Sequence, residues 1–414
     1  MGNVIIGQSG GPTAVINASL AGVIKASKKN GIKKVYGMHH GIEGFLKEDL
    51  IDLDDYIKDM SDLSLLKRTP SAFLGSCRYK LPEIEGNENV YEKMFGILEK
   101  YDIEYFLYNG GNDSMDTIKM LSDYATHNNK KQKFMGIPKT IDNDLPMTDH
   151  CPGYGSAAKY IATSMKEIIR DNESYGVSKP TICIVEIMGR HAGWLTAAAA
   201  LSKDIDCSGP DMIYLPEVSF DIDDFIDRIN YLVEKQNKKS IVIAVSEGLK
   251  LADGRFVCEL GTVNDHIDAF GHKQLAGTAA YLANVVKQRT GLKSRYIEFS
   301  SLQRCAAHLS SRSDSDEAYN FGYLAAKAAF EGNTGKMITI QVQSREPYVE
   351  TYSMFDIHEV ANIERKVPKN WIINDGTYVS DEYLNYARPF IIGRVPPYTA
   401  GGLPVHLTMK KKRK

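Results

Sequence analysis

The chain has 414 residues, 43% of them hydrophobic and 25% charged, with 50 basic and 52 acidic side chains and a formal net charge of −2. That length exceeds what one hydrophobic core normally serves, so two domains or one large two-lobed unit is expected. The ordinary composition argues against disorder, collagen-like repeats and membrane classes. The near balance of charge gives no overall field for nucleic acid or an anionic membrane, so any anion binding must be local.

The chain opens with MGNVIIGQSGG, which has no basic segment followed by a long apolar run and reads as a first strand, Val4-Ile5-Ile6, rather than a secretory signal. Gly7-Gln8-Ser9-Gly10-Gly11-Pro12-Thr13 follows, and then a helix from near Thr13 to about Lys29, with Ala14, Ala18, Ala21 and Ile24 on one face and Gly31 beyond its end. Glycines without Cβ let backbone N–H groups approach an anion, and the helix start adds its positive dipole end, so this loop suits phosphate. It matches neither G-x-G-x-x-G nor G-x-x-x-x-G-K-[ST], and a plain tight turn is the other reading.

A second strand, Tyr105 to Tyr108, runs into Asn109-Gly110-Gly111-Asn112-Asp113-Ser114 and a helix from Met115. Asn112 and Asp113 offer oxygens suited, directly or through water, to magnesium, which takes few protein ligands besides substrate phosphates; Asp113 or Ser114 as a helix cap is the competing reading. A third strand, Phe134 to Ile137, ends in Pro138-Lys139-Thr140-Ile141-Asp142-Asn143-Asp144. Two carboxylates and a lysine on one strand tip provide for a general base, a metal anchor and a phosphate partner. Neighbouring tips of one parallel sheet open onto a common crevice, where ligands of doubly wound folds bind.

Loop signals near Leu145-Pro146 and again from Ser301 to Ser310 mark expected exchanges between lobes. Further strands are expected at Ile182 to Ile187, Met212 to Leu215, Ile241 to Val245, Tyr296 to Phe299 and Met337 to Val342, with helices filling most gaps. This alternation predicts an α/β fold with parallel sheets covered by helices. His191 and Trp194, in GRHAGW, read as packing beside a site rather than as catalytic groups, and Ala197 to Ala200 as helix packing. The six cysteines, Cys77, Cys151, Cys183, Cys207, Cys258 and Cys305, show no C-x-x-C pair or zinc spacing. No apolar run reaches the ~20 residues of a membrane span, so a cytoplasmic protein is expected. The run Lys410 to Lys414 reads as a solvated basic tail.

Taken together, SGGPTAVIN at Ser9 to Asn17, LGSCR at Leu74 to Arg78, GGNDS at Gly110 to Ser114, PKTIDND at Pro138 to Asp144, VEIMGR at Val185 to Arg190, SEG at Ser246 to Gly248 and LQR at Leu302 to Arg304 resemble the phosphofructokinase family in order and spacing. The resemblance implies two doubly wound Rossmann-like lobes with the active site in the cleft between them. It divides the chain into a donor lobe, 1–145 plus about 305–345, a sugar-phosphate lobe, 146–304 plus about 346–405, and a tail, 406–414.

The resemblance also implies the site roles. Gly11, Arg78, Asn112 and Lys139 contact the donor; Asn112 and Asp113 hold Mg2+; Asp142 takes the proton of the sugar 1-hydroxyl, supported by Asp113, Lys139 and Arg190. Thr140, Ile141, Asp142, Met188, Gly189, Arg190, Glu247, Arg295, Ser301 and Arg304 line the fructose 6-phosphate pocket, with Arg295 and Arg304 on the 6-phosphate. Departures from the usual pattern are Asn112 for aspartate, Thr181 for arginine and Ser301 for histidine or tyrosine. Members that use ATP carry glycines where this chain has Asp113 and Lys139, so pyrophosphate is the expected donor; an acid at Asp113 repels a nucleotide α-phosphate. An ATP-dependent phosphofructokinase and a non-catalytic sugar-phosphate-binding subunit are the alternatives. A homodimer or homotetramer is expected, with no nucleic-acid or membrane partner.

Overall fold

The computed structural model of the chain describes residues 1–175, 179–261, 277–361 and 363–409. Eleven strands build two sheets: β1 (Asn3–Gln8), β2 (Val35–Met38), β3 (Leu50–Asp52), β4 (Ile103–Gly110), β5 (Lys133–Pro138), β6 (Thr181–Ile187), β7 (Met212–Tyr214), β8 (Ser240–Ser246), β9 (Lys293–Glu298), β10 (Lys336–Arg345) and β11 (Tyr348–Asp356). The larger sheet runs β11-β10-β5-β4-β1-β2-β3 and the smaller β7-β8-β6-β9. Every pair in the smaller sheet is parallel; in the larger, only β2 with β3 and β10 with β11 are antiparallel.

Strands covered on both faces need apolar side chains at every position, and alternate residues must then enter different cores. Val4 and Ile6 join one core of the larger sheet and Ile5 the other, while in β6 Cys183 and Val185 separate from Ile182 and Ile184 in the same way. On one face of the larger sheet the helix Ile16–Lys29 crosses the helix Arg312–Phe330 almost backbone to backbone. A Cβ on Gly22 would stand 2.1 Å from Tyr319 O, and one on Gly322 1.9 Å from Ser19 O.

The eight strands expected from the sequence form, at slightly different ends; β2, β3 and β11 were not anticipated. The first helix starts at Ile16 rather than Thr13, and the helix after β4 starts at Asn112 rather than Met115, with Gly111 as its cap. The division near residue 345 needs correction: β11 pairs along most of β10 and so extends the larger sheet, because the turn after Arg345 folds the chain straight back. The chain returns to the smaller core further on, through Val367, Tyr383, Tyr386 and Phe390. Leu407 and Met409 pack on a core of the larger sheet, while Lys410 to Lys414 lie outside the described residues. Among the described residues, no helix is long and apolar enough to cross a membrane.

Candidate active site

The ends of β1, β4 and β5 stand side by side, with Gln8 opposite Asn109 and Gly110 opposite Pro138. Beyond β1 the glycine loop turns at Gly10 (φ +72), where a left-handed backbone suits glycine. Ser9 N donates to Asn109 O at 3.0 Å and Gly10 N to Cys77 O at 3.1 Å, while Ser76 Oγ donates to Gly10 O at 2.6 Å. These bonds seat the Leu74–Arg78 segment against the loop and bring Arg78 to its mouth. Lys139, 3% exposed, donates from Nζ to Ser9 O and Gly11 O, each at 2.7 Å. Burial pushes its pKa down to about 8, with the Asp142 carboxylate opposing. A Cβ on Gly11 would lie 2.9 Å from Arg304 Nη1, so glycine there makes room for a guanidinium that the other lobe sends across.

The turn after β5 carries the carboxylates. Thr140 N donates to Pro152 O at 3.2 Å, and Thr140 Oγ1 accepts from Asp142 N at 3.0 Å. Asn143 adopts φ +56, its Nδ2 donating to Tyr386 OH at 2.7 Å and its Oδ1 accepting from Cys151 N at 2.9 Å. Burial raises the Asp142 pKa, with Lys139 and Arg304 pulling it back. Asp144 is pushed up to about 7, first by burial and then by the charge of Asp142.

The smaller sheet presents the ends of β6 and β8 from the opposite side. Gly189 (φ +141) donates its N–H to Glu247 Oε1 at 3.2 Å, and its carbonyl accepts from Ser246 Oγ at 2.5 Å. Met188 N donates to Gln303 Oε1 at 3.4 Å, and a Cβ on Gly248 would stand 2.1 Å from Arg190 O, which keeps the two tips in close contact. Burial pushes Glu247 up to about 8, and the charge of Asp142 adds to the shift, so these carboxylates face one another across the cleft. Arg190 is lowered by burial, opposed by Glu247 and reinforced by Arg78 from the other lobe. Ile141 is buried in the smaller sheet's core, tying the Asp142 turn to that side.

Asp142, Lys139, Thr140, Gly11, Arg78, Arg304, Met188, Gly189, Arg190 and Glu247 therefore converge. Arg295 does not: it sits opposite Cys183, toward the starts of the strands, whereas the cleft lies at their ends. Its Nη2 donates to Asp171 Oδ2 at 2.6 Å and Asn172 Oδ1 at 3.2 Å, its guanidinium lies 5.0 Å from the Tyr175 ring, and it borders a cavity of about 90 Å³ with Thr181 and Lys293. Ser301 is exposed at the start of the Leu302–Cys305 turn.

Asn112 and Asp113 open the helix Asn112–His127. Asn112 Nδ2 donates to Ile363 O at 3.0 Å, while its Oδ1 is a buried oxygen without a hydrogen-bond donor. Such an oxygen, next to a carboxylate at a helix start, fits magnesium's preference for few protein ligands. Among the described residues, no three His, Cys, Asp or Glu side chains gather as a metal cage.

Sequence reasoning missed Glu364, whose charge acts on Asp142, Asp144 and His191, and Arg365 and Tyr386, which bond the base turn. No local motif marks them. Trp194 is 2% exposed, and its Nε1 donates to Arg365 O at 3.0 Å, a packing role. His191 is half-buried, with burial lowering its pKa.

A family model, Phosphofructokinase, matches residues 3–329. The chain belongs to the phosphofructokinase family. Relatives named pyrophosphate–fructose 6-phosphate 1-phosphotransferase resemble this phosphofructokinase over nearly its full length. The protein of Halomonas elongata is 40% identical over 99% of this chain and 97% of its own, and that of Methylococcus capsulatus is 41% identical over 98% and 96%. The crystal structure of a pyrophosphate-dependent phosphofructokinase from Nitrosospira multiformis superposes with a TM-score of 0.87 at 38% identity, covering 100% of this chain and 98% of that one.

Proposed function

We propose that this phosphofructokinase transfers a phosphoryl group reversibly from pyrophosphate to the 1-hydroxyl of fructose 6-phosphate, giving fructose 1,6-bisphosphate and phosphate. The observation that carries the reading is the shared pocket of Asp142, Lys139 and Arg304 against the glycine loop, faced by Arg190 and Glu247 from the other lobe. Phosphoryl transfer asks little covalent work of a protein, so alignment and positive charge dominate. In the proposed step Asp142 accepts the 1-hydroxyl proton as that oxygen bonds to phosphorus, and the anhydride P–O bond breaks to release phosphate. A carboxylate whose pKa is raised by burial is the stronger proton acceptor.

Arg78, Lys139, Arg304 and the backbone at Gly11 balance charge on the donor and the moving group. Met188, Gly189, Arg190 and Glu247 hold the sugar, with Thr140 and Ile141 shaping the turn beneath it. Asn112 and Asp113 would hold Mg2+, which when bound neutralises charge on the donor phosphates. Asp113 stands in the first helical turn, where its charge opposes a nucleotide α-phosphate, and Lys139 gives the compact donor a fixed cation. We further read the chain as cytoplasmic and as a homodimer or homotetramer in which Arg295 serves a neighbour's 6-phosphate pocket. The donor lobe then comprises the larger sheet through Asp356.

A coupled assay with fructose 6-phosphate and magnesium, comparing pyrophosphate with ATP, tests the reading. We expect strong preference for pyrophosphate, and expect Asp113→Gly to raise the relative use of ATP by about a hundredfold, the worth of ~3 kcal/mol of relieved repulsion. Equal use of both donors by the wild type, or an unchanged ratio in Asp113→Gly, would overturn the donor assignment.

A further inference from the structure

The base turn does not hold itself. Between Asp142 and His150 the backbone passes twice through the left-handed region at residues other than glycine, Asn143 (φ +56) and Met147 (φ +61). Such conformations persist where surrounding structure fixes them. The carbonyls of Asn143, Asp144, Thr148 and Asp149 all turn toward a single residue from far along the chain, Arg365. Its backbone N–H donates to Asp144 O at 2.7 Å. Its Nη2 donates to Asn143 O at 3.0 Å, and its Nη1 to Thr148 O at 3.0 Å and to Asp149 O. The same guanidinium donates to Tyr386 OH at 3.2 Å and lies 4.7 Å from the Trp194 ring. Tyr386 OH in turn donates to Asp149 O at 2.8 Å and accepts from Asn143 Nδ2.

We propose that Arg365 is a positioning residue for phosphoryl transfer: its guanidinium, braced by Trp194 and Tyr386, fixes the turn that aims Asp142. Residue 365 lies beyond the stretch 3–329 matched by the family model. Arginine is needed because its planar fork serves diverging carbonyls at once; a lysine ammonium is a compact point charge. Without the fork, the carbonyls of Asn143 and Thr148 lose their guanidinium donors, Asp149 O keeps only Tyr386 OH, and the turn relaxes toward other partners. The reacting oxygen and its base must meet at hydrogen-bond distance, and a misplacement of ~1 Å reduces the rate by about a hundredfold. Substrate affinity depends instead on groups that Arg365 does not touch, such as Arg190 and Glu247. The proposal rests on Asp142 being the base.

The experiment compares Arg365→Lys, Tyr386→Phe and Asp142→Asn in the full chain. Folded protein is quantified by near-ultraviolet circular dichroism, and kcat and KM are measured for pyrophosphate and fructose 6-phosphate. For Arg365→Lys we expect kcat per folded enzyme to fall by about a hundredfold with both KM values within about threefold of wild type. A merely structural role lowers the folded fraction and leaves kcat per folded enzyme unchanged, and that result overturns the proposal. So does a loss appearing only as raised KM. If Arg365→Lys does not fold, Tyr386→Phe, which keeps the ring and removes only the hydroxyl, decides: about a tenfold fall in kcat at constant KM supports the clamp, and an unchanged kcat overturns it. Asp142→Asn separates the two readings, since an inactive Asp142→Asn beside a fully active Arg365→Lys overturns the clamp alone, whereas an active Asp142→Asn overturns the base assignment beneath it.

Discussion

The donor side and the sugar side of the cleft are completed to different degrees within one chain. On the donor side the glycine loop is held by Asn109, Ser76 and Cys77, and its cation Lys139 is pinned by two loop carbonyls. A cation fixed in this way is preorganised and needs no rearrangement as charge develops. On the proposed sugar side the Met188–Arg190 and Glu247 tips are equally well locked, yet Arg295 faces Asp171 and Tyr175 toward the opposite end of the strands. The contrast teaches that the proposed donor groups gather within one chain, whereas Arg295 stands away from the cleft of its own chain, so on the proposed reading a 6-phosphate contact from it would need a second copy.

The sharpest way to break that comparison is at its centre. Asp142→Asn should lower kcat by about 10²–10⁴-fold, the usual worth of a positioned general base, while fructose 6-phosphate binding, read by calorimetry, persists. Because burial raises the Asp142 pKa, the wild type should lose kcat/KM on acidification, with a midpoint above that of an ordinary exposed aspartate, as the base becomes protonated. Residual Asp142→Asn activity within a few-fold of wild type would remove the base from the site.

A smaller effect sharpens the asymmetry itself. Arg295→Ala should raise KM for fructose 6-phosphate by about ten- to a hundredfold, the range for losing a charged hydrogen bond, with the pyrophosphate KM little changed. At fructose 6-phosphate far below the KM of Arg295→Ala, mixed oligomers of Asp142→Ala and Arg295→Ala subunits should recover activity beyond that of either parent. Absence of recovery in oligomers confirmed as mixed by native mass spectrometry would mean that each sugar pocket is complete in its own subunit.

The smallest effect concerns the joint where the chain leaves one lobe for the other. His150 is buried between Asp149, at 3.1 Å from Nδ1, and Glu317, at 2.8 Å from Nε2, with Phe390 stacked on its ring; Arg345 and Tyr348 hold the outer oxygens of the two carboxylates. Burial alone disfavours the charged ring, but the two carboxylates outweigh it and raise the pKa to about 9. A pKa raised above its unfolded value contributes stability that is full below about pH 6.5 and lost as pH rises through about 9. The melting temperature of the wild type should therefore drop between those values by a few degrees more than that of His150→Gln. Parallel curves for the two proteins would show the ring to be neutral.

The strand tips after β4 and β5 made Asp113, Lys139 and Asp142 stand out as candidates in the residues themselves, because an apolar run gives way there to charged side chains, whereas Gly189 and Glu247 were expected only from the family resemblance. What remained hidden has physical reasons. β2 is only Val35 to Met38 with a glycine inside it, and β11 is a half-exposed edge strand, YVETYSMFD, whose polar alternation lacks the continuous apolar signal of the central strands. Arg365 and Tyr386 reach the base turn across more than two hundred positions of sequence, and an arginine serving backbone carbonyls leaves no trace in the sequence of the segment it serves. The late start of the first helix, at Ile16, reflects Thr13 to Val15 remaining part of the glycine loop instead of winding into the first turn.

The glycine crossing of the helices Ile16–Lys29 and Arg312–Phe330 has a mechanical consequence. The second of these helices carries Asp314, whose two carboxylate oxygens accept from Gly153 N and Ser156 N, both at 2.8 Å, at the foot of the sugar lobe. One rigid rod is thus seated in the sugar lobe at its first turn and pressed, without intervening side chains, onto the helix that follows the glycine loop. Swinging one lobe against the other would have to break those buried bonds or separate two backbones in van der Waals contact. The cleft is braced at that joint, so any swing of its walls works against buried hydrogen bonds and a backbone-to-backbone contact.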